Sequence, residues 1–285
     1  MSAPADPEFR VRRMARADLD LIRQWADAEG WNPGLHDAGA FHAADPDGFF
    51  LGERDGEPVG CVSCVRYGDR YGFLGQYIVR PGFRGRGYGL RIWQEGMRHL
   101  AGRTVGLDGV LAQQANYERS GFRLAHHHVR YQGAGGGVPA AGVTDVSAVP
   151  FADLALYDAR MFGADRSAFL RAWVGLTGAT ALGVVSGGRL VGYGVIRPSS
   201  GGFKIGPLFA ADRKVADAVF RSLLARVPGA AVCVDVPEAA ANPDAAELVA
   251  RHGWAEVFRT ARMYAGEPPA VPVREVYGVT SLELG

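Results

Sequence analysis

Residues 79–90 read VRPGFRGRGYGL, four glycines and three arginines set between two apolar runs. Helix N-termini leave backbone N–H groups unpaired and carry partial positive charge, so a strand-to-helix turn with little side-chain bulk can cradle a phosphate. Here Gly85, Gly87 and Gly89 let the backbone approach closely, while Arg84 and Arg86 add charge and forked donors. The chemistry predicted is the holding of an anion, a diphosphate foremost. No Gly-Lys-Ser/Thr closes the stretch, so it is not a Walker loop, and it departs from the G-x-G-x-x-G order of dinucleotide folds.

Other reactive groups point nowhere so specific. Cys61 and Cys64 form a C-x-x-C, but inside the strand-like run PVGCVSCV, where positions three apart face opposite ways and cannot grip one metal. His126 and His128 would share one face of a strand, yet no third ligand stands at a readable spacing, and a surface strand is expected. No metal site follows. The 31 Lys plus Arg against 30 Asp plus Glu leave a formal charge of +1, so no global field draws the chain to nucleic acid or anionic membrane. The N-terminus MSAPADPEF resembles no leader, and no apolar run approaches the roughly 20 residues of a membrane span. Three cysteines in a long chain make no disulfide framework, and a cytoplasmic protein is expected.

The elements that must position the turn divide in two. At 285 residues the chain is long enough for two compact domains. The stretch 133–142, GAGGGVPAAG, has linker composition. Before it the pattern gives strand FRVRRM, a helix over 18–29, a short helix near 36–43, strands FFLGER, PVGCVSCVRY and YGFLGQYIV, and a helix over 87–102 on which Leu90, Trp93, Met97 and Leu100 recur at helical spacing. Strand VGLDGV, a short helix over 115–120 and strand FRLAHHHVRY complete this half. The second half repeats the order, with DGEPVGCVSCVR answered by GGRLVGYGVIRP and YERSGF by LVARHGW. The fold class expected is α/β, two copies of one mixed twisted sheet flanked by helices, over 1–132 and 143–285.

Strand YIV, then Arg80-Pro81, then Arg84-x-x-Gly87-x-Gly89 resembles the acetyl-CoA signature of the GNAT acetyltransferases, and YERSGF resembles that family's downstream Tyr-x-x-x-Gly-Phe element. Segments YDARMFGADRSAFLRAW, GFKIGPLFA and VYGVTSLELG further resemble tandem GNAT proteins with a divergent second domain. The resemblance implies two tandem GNAT-like domains and acetyl-CoA as co-substrate. It implies that amides from Arg84 through Gly85, Arg86, Gly87, Tyr88 and Gly89 hold the CoA diphosphate. It also implies that Tyr77, Ile78 and Val79 pair with pantetheine where their strand splays from the next, and that Tyr117 is the general acid toward the departing thiolate, with packing beneath the helix as the lesser alternative.

For the remaining roles the residues leave alternatives. Asp108 could attract a cationic amine or relay its proton, but GLDG is also good turn chemistry. In GWNPGLHD, by analogy with related folds, Trp31 could stack on an acceptor and Asn32, His36 and Asp37 orient it, though Asn-Pro-Gly is equally a plain turn. Gln76 interrupts an apolar strand and could face the cleft. Glu95 and Glu118 read as solvated. The second half lacks the signature: FKIGPLFAADRK has Pro207, which brings no N–H, and Val249 stands where Tyr117 does. It is therefore expected not to catalyse; Lys204 and the tail VYGVTSLELG are the contacts expected with the first half. The function implied is acetyl transfer to a primary amine, a small molecule rather than a protein lysine, by direct transfer in a ternary complex. A CoA-binding module without turnover is the rival, and a homodimer is compatible with either.

Overall fold

A computed structural model describes residues 8–285 as one mixed sheet of thirteen strands with helices on both faces. The first half supplies β1 (Phe9–Arg13), α1 (Asp18–Ala28), α2 (Ala38–Ala44), β2 (Phe49–Arg54), β3 (Glu57–Tyr67), β4 (Tyr71–Val79), α3 (Tyr88–His99), β5 (Thr104–Val110), α4 (Gln114–Arg119) and β6 (Arg123–Ala134). The second repeats it with β7 (Val143–Asp145), α5 (Phe151–Phe162), α6 (Ser167–Val174), β8 (Thr180–Ser186), β9 (Arg189–Ser199), β10 (Gly202–Ala210), α7 (Arg213–Leu224), β11 (Ala231–Pro237), α8 (Pro243–Arg251), β12 (Ala255–Ala265) and β13 (Val276–Gly278). The expected tail strand shrinks to the three residues of β13, and the linker-like stretch begins inside β6, whose Gly133 and Ala134 pair with β11.

The two sheets are joined by exchange of their last strands. The order runs β1-β2-β3-β4-β5-β12-β6-β11-β10-β9-β8-β7, so β12 of the second half lies beside β5, and β6 of the first lies beside β11. Every residue of β12 from Thr260 to Ala265 pairs antiparallel with β5, from Val110 back to Val105. Charge fixes this register as well as backbone bonds do. Buried Arg262 on β12 forks onto Asp108 of β5 at 2.9 and 2.6 Å, and buried Arg130 on β6 forks onto Asp235 of β11 at 2.8 and 2.9 Å.

Helix packing follows the apolar spacing. On one face a continuous cluster joins α1 and α2 to α5 and α6, with Phe41 stacked on Trp173 at 6.0 Å, so the halves share a core. On the other face α3 and the α7–α8 pair cover separate clusters, and Ala261 and Met263 of β12 belong to the one under α3. In α3 the fully buried row is Tyr88, Ile92 and Gly96, four apart, which turns Leu90 out to 59% exposure. Cys61 and Cys64 lie in clusters on opposite faces, both as free thiols, as their strand spacing requires.

A chain ended after residue 142 would leave β5 without β12 and β6 without a partner on either side. We expect it to be unfolded, or to associate through those edges. Circular dichroism and size-exclusion chromatography check this, and a cooperatively folding monomer would refute it.

Candidate active site

The cleft opens where β4 and β5 part. Their parallel pairing runs from Tyr71 opposite Thr104 to Leu74 opposite Leu107 and then stops, although both strands continue. At that point β4 carries an extra residue: Cys61 of β3 faces Ile78 but Ser63 faces Gly75, and Gln76 adopts φ +45. Such a bulge bends and twists its strand, which accounts for the splay. From there, the edge of β4 from Gly75 to Val79 has, among the described residues, no strand on the β5 side and lines a cavity of about 480 Å³.

The glycine turn closes one end of this cavity. A 3₁₀ turn at Pro81–Phe83 leads to Gly85 and Gly87, at φ +76 and +82, conformations that strain any residue with a Cβ. Gly87 is the N-cap of α3 and brings no capping side chain, so the helix start is open to an external acceptor. Arg84, Gly85, Gly87 and Gly89 line the cavity. Arg84 is already engaged: it donates to the Val79 carbonyl at 2.7 Å and pairs with Glu29. Arg86 lies over the Phe83 ring, and the Tyr88 ring is buried against Phe9 at 4.5 Å. The cradle is therefore made by backbone rather than by loose guanidinium groups.

Tyr117, on α4, also lines the cavity, stacked on Trp93 at 6.0 Å and packed over Gly109. Burial, with a smaller contribution from nearby Tyr77, pushes its phenol up to about 12, so it remains a proton donor at neutral pH. The packing reading of Tyr117 is thus met, in a position that also lines the cavity.

Asp108 also lines the cavity, but its chemistry differs from that of a free base. Burial alone would raise its pKa; Arg262 and His128 overcome this and hold it well below the usual carboxylate range. His128 Nδ1 stands 2.9 Å from Oδ1, and both carboxylate oxygens are occupied by Arg262. So ionised and so fully bonded a carboxylate is a poor proton acceptor. His128 itself is 2% exposed and stands 3.1 Å from His126, which corrects the expectation of a surface strand. Burial and His128 press His126 down to about 3, keeping it neutral.

Of residues 30–37, the loop that follows α1 and its C-cap Glu29, only Trp31 lines the cavity. Its carbonyl accepts from Arg130 at 2.8 Å. Asn32 turns away instead, accepting from the Gly201 amide at 2.7 Å, and buried Asp37 is forked by Arg197 at 2.9 and 3.1 Å. His36 is exposed. The loop is thus anchored to the second half, and the orienting roles considered for Asn32, His36 and Asp37 are not supported. Gln76 lines the cavity as expected. What the sequence did not disclose is a wall from the second half: Phe258 and Thr260 of β12, and Leu282 and Glu283 of the tail. Gln76 Oε1, Thr260 Oγ1 and Glu283 Oε2 are buried without a hydrogen-bond partner among the described residues, each at a cost of about 1–3 kcal/mol.

The second half has no equivalent opening. Its matching pair, β10 and β11, runs parallel only from Phe203 opposite Val232 to Ile205 opposite Val234, and β13 then pairs with β10 at Leu208 and Phe209. The chain's own tail fills the wedge. At the start of α7 the Asp212 carboxylate accepts from the amides of Lys214 and Val215 at 2.8 and 2.9 Å, where the first half has bare Gly87. A fixed carboxylate there repels a phosphate.

Comparison with known proteins agrees with this arrangement. Residues 6–122 match the acetyltransferase (GNAT) family model, and residues 154–278 match an acetyltransferase (GNAT) domain model. Holothin acyltransferase of a Pseudoalteromonas species is 36% identical over 271 residues, covering 94% of this chain and 92% of that protein. The chain belongs to the GNAT acetyltransferase family. It is a tandem GNAT acyltransferase, and the family to which it belongs uses acetyl-CoA. A putative acetyltransferase from Pyrococcus horikoshii shares the fold over the whole chain and 99% of its own, with TM-score 0.83 at 23% identity. A tandem GNAT protein from the clavulanic acid biosynthesis pathway does so over 92% of this chain and 100% of its own, with TM-score 0.61 at 18% identity. No helix among the described residues is long and apolar enough to cross a membrane.

Asp108→Asn would leave Arg262 buried without its counter-charge, and we expect a loss of about 3–5 kcal/mol at neutral pH. Because the folded-state pKa of Asp108 is depressed, its contribution is present above the unfolded value of about 3.9 and fades as pH falls below it. Urea unfolding of wild type and variant should therefore differ strongly near neutral pH and much less in acid. Equal midpoints at neutral pH would contradict this.

Proposed function

We propose that this GNAT tandem protein binds one acetyl-CoA in the first-half cleft and passes the acetyl group directly to a primary amine of a small molecule. The observation that carries the reading is the uncapped glycine turn at α3 opening into the β4–β5 wedge with Tyr117 on its wall. Acetyl-CoA supplies an activated thioester. The chain's contribution is placement: the amides after Gly85 receive the diphosphate, the free edge of β4 through Tyr77, Ile78 and Val79 receives pantetheine, and Tyr117 gives its proton to the leaving sulfur. Holding both reactants in one cleft supplies much of the acceleration.

The acceptor end is walled by Trp31, Phe258 and Leu282, so a flat apolar amine fits its chemistry. Supply of walls by both halves favours a small molecule over a protein lysine. Holothin, from the relative's name, is a first acceptor to try.

Calorimetric titration of acetyl-CoA should show saturable binding in the wild type and none in Gly87→Glu, whose side chain brings strain and negative charge to the cradle. Tyr117→Phe should bind acetyl-CoA normally while thiol release with an acceptor falls by roughly 10²-fold or more. Normal binding by Gly87→Glu would move the cradle elsewhere; unchanged turnover in Tyr117→Phe would remove the phenol from the chemistry.

A further inference from the structure

With Asp108 committed to Arg262 and His128, the cleft needs another group to receive the acceptor's amino nitrogen. We propose that Glu283, the third residue from the end of the described chain, is that group: its carboxylate anchors the amine and accepts its proton. This rests on the transfer reading above.

Three observations meet at Glu283. It lines the cavity, yet its side chain is only 7% exposed. Its backbone is seated against Gly75, the first residue of β4 after pairing with β5 stops, where an added Cβ would stand 2.0 Å from the Glu283 carbonyl oxygen. Only glycine at 75 admits the tail to the inner end of the wedge. Its two oxygens are also unlike. Oε1 is 4.0 Å from Lys204 Nζ, which has no hydrogen-bond partner of its own, while Oε2 has none either. Lys204 therefore stands beside the carboxylate without occupying it by a hydrogen bond.

The neighbours agree with the chemistry of the ligand. Gln76 and Thr260 line the same cavity, and their Oε1 and Oγ1 are likewise buried without partners among the described residues. Three unpaired oxygens around one cavity call for a ligand rich in donors, and an amino group is one. Trp31, Phe258 and Leu282 supply the apolar remainder. In the transfer step the amine nitrogen forms the new C–N bond and the thioester C–S bond breaks. The proton lost by nitrogen passes to Glu283, and the proton gained by sulfur comes from Tyr117. The two residues return to their starting states by exchange with water, so the sum is amine plus acetyl-CoA giving amide plus CoA.

Glu283→Gln keeps the size of the side chain and removes its charge and basicity. Thiol release from acetyl-CoA is measured with 2-phenylethylamine as the probe amine, in wild type, E283Q, Glu283→Ala and Tyr117→Phe, beside calorimetric titration of acetyl-CoA. The assignment predicts that E283Q binds acetyl-CoA within about twofold of wild type but loses on the order of 10²-fold in kcat. Added formate, a small carboxylate able to enter the vacated space, should restore part of the rate to E283A and none to Tyr117→Phe. A purely structural role would not respond to formate. A wild-type rate in E283Q, or loss of acetyl-CoA binding together with turnover, would overturn the assignment. Wild type that binds acetyl-CoA but acetylates no amine would overturn the transfer reading and this role with it. Should E283Q fail to fold, Glu283→Asp retains the charge beside Lys204 and withdraws it by one methylene; an undiminished kcat there would equally overturn the proposal.

Discussion

The exchange of β6 and β12 is the constraint on which the rest of the molecule depends. Placing β12 against β5 carries Arg262 to Asp108, and placing β6 against β11 carries Arg130 to Asp235. Neither ion pair forms within one half. Each buried charge would be strongly unfavourable without its partner, so the crossed arrangement is selected against the uncrossed one electrostatically as well as by backbone bonds. The crossing also builds the site. Because β12 continues the β5 wall of the wedge, Phe258 and Thr260 enter the cleft, and Arg130 reaches the Trp31 carbonyl that shapes its rim. The two halves thus make one cavity.

The same supersecondary unit occurs twice with opposite outcomes. In the first copy a bulge at Gln76 opens the sheet, and Gly87 leaves the following helix uncapped. In the second, β13 occupies the matching gap and Asp212 caps the matching helix with its own carboxylate. One copy thereby lacks, among the described residues, a strand partner beyond Leu74 and a side-chain cap at its helix start. The other supplies both from within the chain. The tail that seals the second wedge then runs on past Gly75 to deliver Glu283 to the first.

What was legible in the sequence was local. The glycine turn, the helices and the repeated order depend on short-range chemistry, and α5 spans the whole of FADLALYDARMF. Contacts across the crossing were not legible. Asp108 lines the cavity, but its fork onto Arg262 could not be read, because Arg262 lies 154 residues away. His128 read as surface for the same reason: its neighbours on both sides, β11 and β12, come from the other half. Asn32 and Asp37 suit a binding loop by residue type, yet their partners Gly201 and Arg197 belong to the second half. Glu283 sits in SLELG, where no periodicity marks a buried carboxylate; only its seat against Gly75 does so.

The most direct test of the account is a crystal structure of the protein grown with excess acetyl-CoA. The account predicts one molecule per chain, with its diphosphate at the amides following Gly85, its thioester in the wedge between β4 and β5, and β13 still paired with β10. Acetyl-CoA bound in the second half with β13 displaced, or bound anywhere other than the β4–β5 wedge, would contradict it.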